Sequence, residues 1–276
     1  MHTMVLTVLM MLLMTTGPAL AASAATADTL DAALCQAQSR LDRLHKTLAP
    51  LEARKGRPVV DKDTLASALA AMAEENLLIR DALYEVVHTP WPAEVKRAYI
   101  EYFLAPSQAS GPGAGPGAGP GARAGAGPAL GLAQRVGTEN LAALRRLLET
   151  PLLEDAGWPT RAMFGAEADF HAFIIVVQGR GADPQWVAQV IAPRLKALAG
   201  RDEIHPLGAA WLAAEARPDA ATFARQCREA GAPWSRYGAQ LEGLTALQAL
   251  MATLETATQL PSLTPAPCGA ERPGKK

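Results

Sequence analysis

Apolar side chains recur at steps of three and four residues along most of this chain, and that spacing restricts it to a fold of amphipathic helices. The first predicted helix, from Asp28 to Leu48, carries its inward stripe at Leu30, Leu34, Ala37, Leu41, Leu44 and Leu48. The second places Leu65, Leu69, Met72, Ile79, Leu83 and Val86 on one face. Each stripe must be covered by another helix, and a chain with 49% hydrophobic residues can supply that core.

The predicted helix ends follow from proline and capping residues. Pro50 ends the first helix, and Asp63 caps the second. A third helix runs from about Pro92 to Phe103, and Thr138 caps a fourth, which ends at Pro151.

The stretch VVQGRGADPQW, residues 176–186, is predicted to be the boundary between two helices. Gly179 suits the left-handed residue that closes a helix, and Asp183-Pro184 supplies a cap followed by proline at the first helical position. The preceding EADFHAFIIVVQ is apolar on nearly every side, and its β-branched residues also suit a buried strand. A buried helix is favoured because the chain has no second strand-like run to pair with it.

The remaining pattern is also helical. Two short helices are predicted at 206–216 and 219–230, followed by a loop PWSRYGAQ with Trp234 and Tyr237, and by a last helix around Leu244. The sequence therefore predicts an all-α protein, a single orthogonal domain of about eight helices within residues 28–260. The Pro-rich tail, 261–276, is predicted to be mobile.

A low-complexity segment rich in Gly, Pro and Ala, residues 106–128, interrupts the helical pattern. Between Ser110 and Pro128 it offers no apolar side chain larger than alanine, which predicts a flexible linker. Because closure entropy grows only logarithmically with length, such a linker fits inside one domain almost as well as between two.

The first residues are typical of a secretory signal peptide. An apolar run from Met4 to Met14 precedes Gly17-Pro18, and Ala19 and Ala21 suit cleavage after residue 21. The run is short for the roughly 30 Å of a bilayer core, so a permanent anchor is the second reading and no stable span is expected after cleavage. The segment before the run lacks Lys and Arg, which is atypical. We therefore expect residues 1–21 to direct the chain to the periplasm or outside the cell.

Three cysteines remain after the predicted cleavage site: Cys35, Cys227 and Cys268. In an oxidising compartment one pair can close and leave one thiol free. Three isolated, reduced cysteines are an equally valid reading.

Charge and motifs exclude several function classes. A formal net charge of −1 leaves no basic field for a phosphate backbone, so nucleic acid is not expected as a partner. The chain contains no G-x-S-x-G, H-E-x-x-H, phosphate loop or G-x-G-x-x-G helix start. We predict no cofactor and no metal site; the expected partner is an unknown protein or a small molecule.

The residues that carry possible chemistry are few. Glu167 and His171 stand four apart and share a helical face, the geometry of an acid–base pair or of two metal ligands. Because His171 lies in an apolar run, a hydrogen-bonded core or boundary histidine is favoured. Trp158 and Tyr237 could line a cleft, although aromatic residues at helix junctions are commonly packing anchors.

Several short motifs resemble a bacterial domain family of unknown function. They are GWPT, an apolar helix ending in glutamine, a D-P helix start and Y-G-x-Q, and the resemblance runs from about Leu65 to Gln240. The matching positions are Trp158, Pro159, Gly165, Gln178, Asp183, Pro184, Tyr237, Gly238 and Gln240, with Arg80 and Asn140. The resemblance implies one domain in which the Gly/Pro segment is an insertion.

The departures from that family fall on polar positions. Where the family pattern has histidine and aspartate, this chain has Gly179 and Gly181, and two acidic positions are replaced by Ala214 and Asn76. The resemblance therefore implies a degenerate member that has lost whatever site those residues form.

Two functional hypotheses follow. The first is an exported helical module that binds a ligand or belongs to the cell envelope and has no catalytic activity. The second is a hydrolase-like enzyme with a pocket around Gln178, Asp183, Tyr237 and Gln240, assisted by Glu167 and His171. The candidate ligand-binding residues are Trp158, Glu167, His171, Gln178, Asp183, Tyr237 and Gln240.

Overall fold

The computed structural model describes residues 27–54, 61, 63–104, 128–151, 153, 157–213 and 219–254. Throughout these residues the regular structure is helical, with no strand, and the predicted all-α class is confirmed. The predicted signal peptide 1–21, the linker up to residue 127, the tail 261–276, Cys268 and Ala214 lie outside the described residues.

Ten helices make up the described part of the chain. They are α1 (Ala27–Ala53), α2 (Leu65–Tyr84), α3 (Ala93–Leu104), α4 (Pro128–Leu148), α5 (Arg161–Phe164), α6 (Ala166–Gly179), α7 (Pro184–Trp186, a π-helical Val187–Ile191, and Ala192–Gly200), α8 (Pro206–Leu212), α9 (Ala220–Glu229) and α10 (Trp234–Leu254). A 3-10 turn, Glu85–His88, follows α2.

Three predicted helix boundaries in the first half of the chain are wrong. The residue that precedes α2 is Thr64, which makes no side-chain cap hydrogen bond, and not a capping Asp63. Pro50 lies inside α1, which continues to Ala53. Proline removes one helical hydrogen bond there, but the next residue, Leu51, packs against the core and keeps the last turn in place. Helix α4 begins at Pro128 and passes through Thr138, whose hydroxyl donates to the Gln134 carbonyl oxygen at 2.8 Å instead of capping.

The segment PWSRYGAQ is helical from Trp234 onwards, where it forms the start of α10 and not a loop. Helix α9 ends at Glu229, Gly231 with φ of 75° lies in the turn that follows, and α10 begins at Trp234. Trp234 and Tyr237 are both buried and stand one helical turn apart, so burial favours the helical conformation over an exposed loop.

Gly179 has a different role from the one predicted. It is the last residue of α6 and is not among the residues with positive φ. A Cβ at this position would lie 2.6 Å from the Gly137 carbonyl oxygen and 2.7 Å from the Leu141 Cβ. Gly179 is therefore required because α6 crosses α4 at near contact, and not because it adopts a left-handed turn.

Two hydrophobic cores hold the helices together. The first contains Leu69, Leu77, Leu144, Trp158, Phe170, Phe173, Phe223, Trp234 and Tyr237, among others. The second contains Leu41, Leu48, Ile79, Leu83, Trp91, Tyr99, Val136 and Leu247, among others. Helices α2, α4 and α10 are long enough to contribute to both cores, so they connect the two.

The helices on either side of the Gly/Pro-rich segment share one core. Tyr99 of α3, before the segment, and Val136 of α4, after it, are both fully buried in the second core. Deleting residues 111–127 is expected to leave thermal unfolding as one transition with a similar midpoint, because the residues that form the shared core lie on either side of the deletion. Calorimetry checks this prediction, and two separable transitions would instead indicate independent halves.

Candidate functional site

The seven predicted ligand-binding residues lie in three places in the structure. Glu167, His171, Tyr237 and Gln240 belong to helices that meet α2, and we define the α2–α6–α10 face by Glu74, Asp81, His171, Arg236 and Gln240. Trp158 lies in the first core. Asp183 lies at the start of α7, and Gln178 is half-buried in the last turn of α6.

Arg236 organises the charged part of the α2–α6–α10 face. Its guanidinium lies 2.5 Å from a Glu74 oxygen and 2.9 Å from an Asp81 oxygen. The side chains of Glu74 and Arg236 are 55% and 42% exposed, so solvent screening limits each pair to about 0–1 kcal/mol. The ion pairs therefore orient side chains more than they stabilise the fold.

Gln240 is buried beneath this network. Its Nε2 donates to the Leu77 carbonyl oxygen at 3.3 Å and to the Asp81 carboxylate. These two bonds join α10 to α2 and consume the donors of the amide group. Its Oε1 is buried without a hydrogen-bond partner.

His171 is half-buried on the same face. Burial lowers its pKa below the usual value, the nearby carboxylates of Glu167 and Glu74 raise it, and Arg236 lowers it again. The net shift is downward, so the neutral imidazole predominates at neutral pH. Glu167 itself is exposed to solvent.

Tyr237 is an aromatic packing residue in this structure. Its ring meets Phe173 edge-on at 5.5 Å between centroids and Phe223 at 6.3 Å. Burial raises the pKa of its phenol. The next residue, Gly238, lies where α10 touches α9, because a Cβ there would come within 2.7 Å of the Ala224 carbonyl oxygen. The Y-G-x-Q motif thus connects α10 to α6, α9 and α2.

Trp158 is buried and holds a buried carboxylate. Its indole nitrogen donates to Asp169 Oδ1 at 3.0 Å, and the backbone N–H of His205 donates to Asp169 Oδ2 at 2.8 Å. Burial raises the pKa of Asp169, while the two donated bonds and the charge of Arg161 lower it by less. Asp169 therefore ties the GWPT segment and the turn before α8 to α6.

Asp183 caps α7, as the sequence predicts. One carboxylate oxygen accepts from the Trp186 backbone N–H at 3.1 Å, and the other lies 2.9 Å from Arg145 on α4. The Arg145 guanidinium also lies over the Trp186 ring, 5.4 Å from its centroid. Both oxygens of this carboxylate thus have structural partners.

Asn76, which the helical pattern places in an apolar stripe, has its partner on another helix. Asn140 Nδ2 donates to Asn76 Oδ1 at 3.2 Å and to the Met72 carbonyl oxygen at 2.9 Å. Both amides are buried, so this contact fixes α4 against α2.

Sequence reasoning missed Glu74, Asp81 and Arg236. Glu74 and Asp81 are seven residues apart on α2, which places them on one helical face two turns apart. That spacing was visible in the sequence, but Arg236 lies more than 150 positions later and nothing local connects it to them.

The cysteines differ from one another. Cys35 is disulfide-bonded, whereas Cys227 is free and buried, and burial raises the pKa of its thiol to about 12. An inert, protonated thiol is expected at Cys227.

No family model, curated protein or solved structure matches the chain. Within the described ranges, no three His, Cys, Asp or Glu side chains are grouped as a metal ion would require. None of the helices that the structure describes combines the length and the apolar character needed to cross a membrane.

The pKa shifts at the histidines predict a pH dependence. His171 and His205 both have pKa values lowered by burial from the ordinary 6.5, so the unfolded chain binds protons that the folded chain does not. Their contribution to stability is present above pH 6.5 and is lost as pH falls through the lower folded-state values. Urea unfolding between about pH 5 and 8 measures the free energy of unfolding at each pH, and His171→Gln should make this free energy depend less on pH. The exposed His88→Gln is the matched control; an equal change in both variants would contradict the assignment.

Proposed function

We propose that this protein is an exported, all-helical binding module without catalytic activity that presents the α2–α6–α10 face to a partner in the cell envelope. The observation that carries the proposal is that polar groups of the predicted pocket are held in contacts between helices. Asp183 caps α7 and Gln240 bonds to α2. The Trp158 indole is likewise bonded to Asp169.

A reactive group needs freedom to approach a substrate, whereas these groups are already engaged with neighbouring helices. Removing the acceptors of the Gln240 amide or the Trp158 indole would leave a buried donor without a partner, at a cost of about 1–3 kcal/mol each. The accessible residues on and beside the face are charged: Glu74 and Arg236 on the face and Glu167 beside it are all exposed. Such a charged surface suits recognition of a polar partner by charge complementarity.

Export is supported by two independent observations. The first residues match a cleavable signal peptide, and Cys35 carries a disulfide, which persists in oxidising compartments. We further propose that the chain is a degenerate member of the bacterial family whose GWPT, D-P and Y-G-x-Q motifs it carries.

Export is tested by fractionating bacterial cells that produce the full chain. We expect the periplasmic fraction to contain a protein whose first residue is Ala22, since cleavage follows Ala21. Leu12→Arg, which interrupts the apolar run, should leave an uncleaved chain in the cytoplasm. An uncleaved wild-type chain in the cytoplasm or in the membrane would contradict the proposal.

Binding is tested with a photoreactive amino acid placed at one position in cells. At Glu167, exposed beside the face, it should give a discrete crosslinked product that Arg236→Ala weakens; at Gln189, exposed on α7, it should not. Equal products from both positions, or none from Glu167, would count against this face.

The enzymatic alternative has a separate test. A hydrolase-like pocket around Gln178, Asp183, Tyr237 and Gln240 requires these side chains to converge on one substrate. Hydrolysis of ester or amide substrates by the purified protein that disappears in both His171→Gln and Tyr237→Phe would favour this alternative over the binding module.

A further inference from the structure

A surface cleft lies beside the disulfide-bonded cysteine, and its lining shares no residue with the α2–α6–α10 face. It has a volume of about 480 Å³, and its lining includes Cys35, Arg40 and Arg43 of α1 and Pro90 and Trp91 from the turn before α3. The cleft is therefore formed by one helix and one proline-containing turn of the second core.

The floor of this cleft is rigid and aromatic. Trp91 is 8% exposed, its indole nitrogen donates to Gln36 Oε1 at 2.9 Å, and its ring packs against Tyr99 at 5.6 Å. Arg40 pairs with Glu85, and its charge acts on the buried Tyr99 hydroxyl. Arg43 is exposed. An extended segment with prolines and a carboxylate suits such a surface, because proline-rich segments dock on aromatic residues and arginines attract the carboxylate.

The bonding state of the three cysteines indicates which segment of the chain lies in this cleft. The chain has three cysteines; Cys227 is free and buried in the first core, while Cys35 is disulfide-bonded. Within a single chain, Cys268 is then the partner that remains for Cys35.

The length of chain after α10 allows this pairing. The helix ends at Leu254, and its Leu247 is buried in the same core as Leu41 and Leu44 of α1. The 14 residues from Leu254 to Cys268 can span up to about 46 Å, slightly more than the roughly 40 Å length of a helix such as α1.

We propose that Cys268 is bonded to Cys35 and that the C-terminal segment 261–276 of this chain occupies the cleft. The residues before Cys268, TPAP, are typical of the extended polyproline conformation and fit against Pro90 and Trp91. Glu271, three residues after Cys268, supplies a carboxylate for Arg43. The segment serves as a covalent strap that joins the end of the chain to α1.

The chemistry of closure is ordinary thiol–disulfide exchange. One cysteine thiolate attacks a disulfide oxidant, releases one thiol from it and forms a mixed disulfide; the second thiolate then displaces the other half of the oxidant. The two cysteines lose two protons and two electrons in total, and the oxidant is reduced to two thiols.

The pairing is tested on the purified full chain oxidised by glutathione disulfide, so that the outcome does not depend on export. Proteolysis without reduction followed by mass spectrometry should yield one linked peptide pair, Cys35 with Cys268, and a thiol at Cys227 that is alkylated only after unfolding. Cys268→Ser should lower the unfolding midpoint by about 5 °C, and Cys227→Ser should leave the linked pair intact. A disulfide-linked dimer through Cys35, a Cys35–Cys227 pair, or persistently reduced Cys35 and Cys268 would each overturn the proposal.

The position of the strap is tested with a photoreactive residue at Ala266. It should crosslink to peptides that contain Trp91 or residues 36–43, and Arg43→Glu should reduce the yield several-fold. Lys46→Glu, an exposed charge reversal one turn along α1 and outside the cleft lining, is the matched control. Crosslinks elsewhere, or equal losses in the two variants, would show that the segment does not occupy the cleft.

Discussion

Gly179→Ala is expected to lower the free energy of unfolding by about 2–3 kcal/mol. The added methyl group would lie 2.6 Å from a backbone oxygen of α4, and a backbone atom cannot move aside as a flexible side chain can. Alanine's higher helix propensity returns about 1 kcal/mol or less at this last residue of α6, so the steric term decides the sign. Chemical denaturation measures the loss.

Gly181→Ala is the matched control for that variant. Gly181 is exposed and has nothing within 4 Å of an added Cβ, so its replacement should change stability by less than about 0.5 kcal/mol. If Gly179→Ala proves as stable as Gly181→Ala, the close crossing of α4 and α6 is wrong.

Asp169→Ala is expected to cost about 2–5 kcal/mol, because it leaves two buried donors without an acceptor. The donors are the Trp158 indole nitrogen and the His205 backbone N–H, which lie 3.0 and 2.8 Å from the two carboxylate oxygens. Relief of the buried charge offsets only part of this loss. Thermal unfolding should show a midpoint lower by roughly 4–20 °C.

Asp169→Asn keeps one of the two hydrogen bonds and removes the other. One amide oxygen can still accept, but the amide N–H₂ faces a donor, so about half of the destabilisation should remain. Trp158→Phe should resemble the asparagine variant, since it removes one donor and keeps most of the apolar ring. An alanine variant no less stable than wild type would mean that Asp169 does not link these segments.

Gly179 and Gly181 are two residues apart in the sequence, but their surroundings differ. Gly181 is open to solvent, whereas Gly179 is closed by the neighbouring helix. A histidine at position 179 would require α4 and α6 to separate. Gly179 and Gly137 together allow α4 and α6 to pack closely at this position.

Residues of the GWPT, D-P and Y-G-x-Q motifs have structural roles in this chain. Trp158 holds a buried carboxylate, Asp183 caps a helix, and Gly238 allows α9 and α10 to touch. Each of these residues stabilises a junction between helices. Because these contacts account for the motif residues structurally, the motifs by themselves do not indicate activity.

The sequence alone determined the all-α class and most of the helix positions. Helical periodicity and caps such as Asp183 act between residues three or four apart, so they can be read locally. It also identified Tyr237 and Gln240 as candidate site residues through the Y-G-x-Q motif, but it could not assign their partners.

Only the tertiary structure decided how the helices meet. The roles of Gly179, Asp169 and Arg236 depend on atoms supplied by other segments: the Gly137 carbonyl oxygen, the His205 N–H and the Glu74 carboxylate. Such distances are set by the packing of two cores at once. A periodic pattern determines which face of a helix is buried, but it carries no information about which neighbour covers that face or how closely.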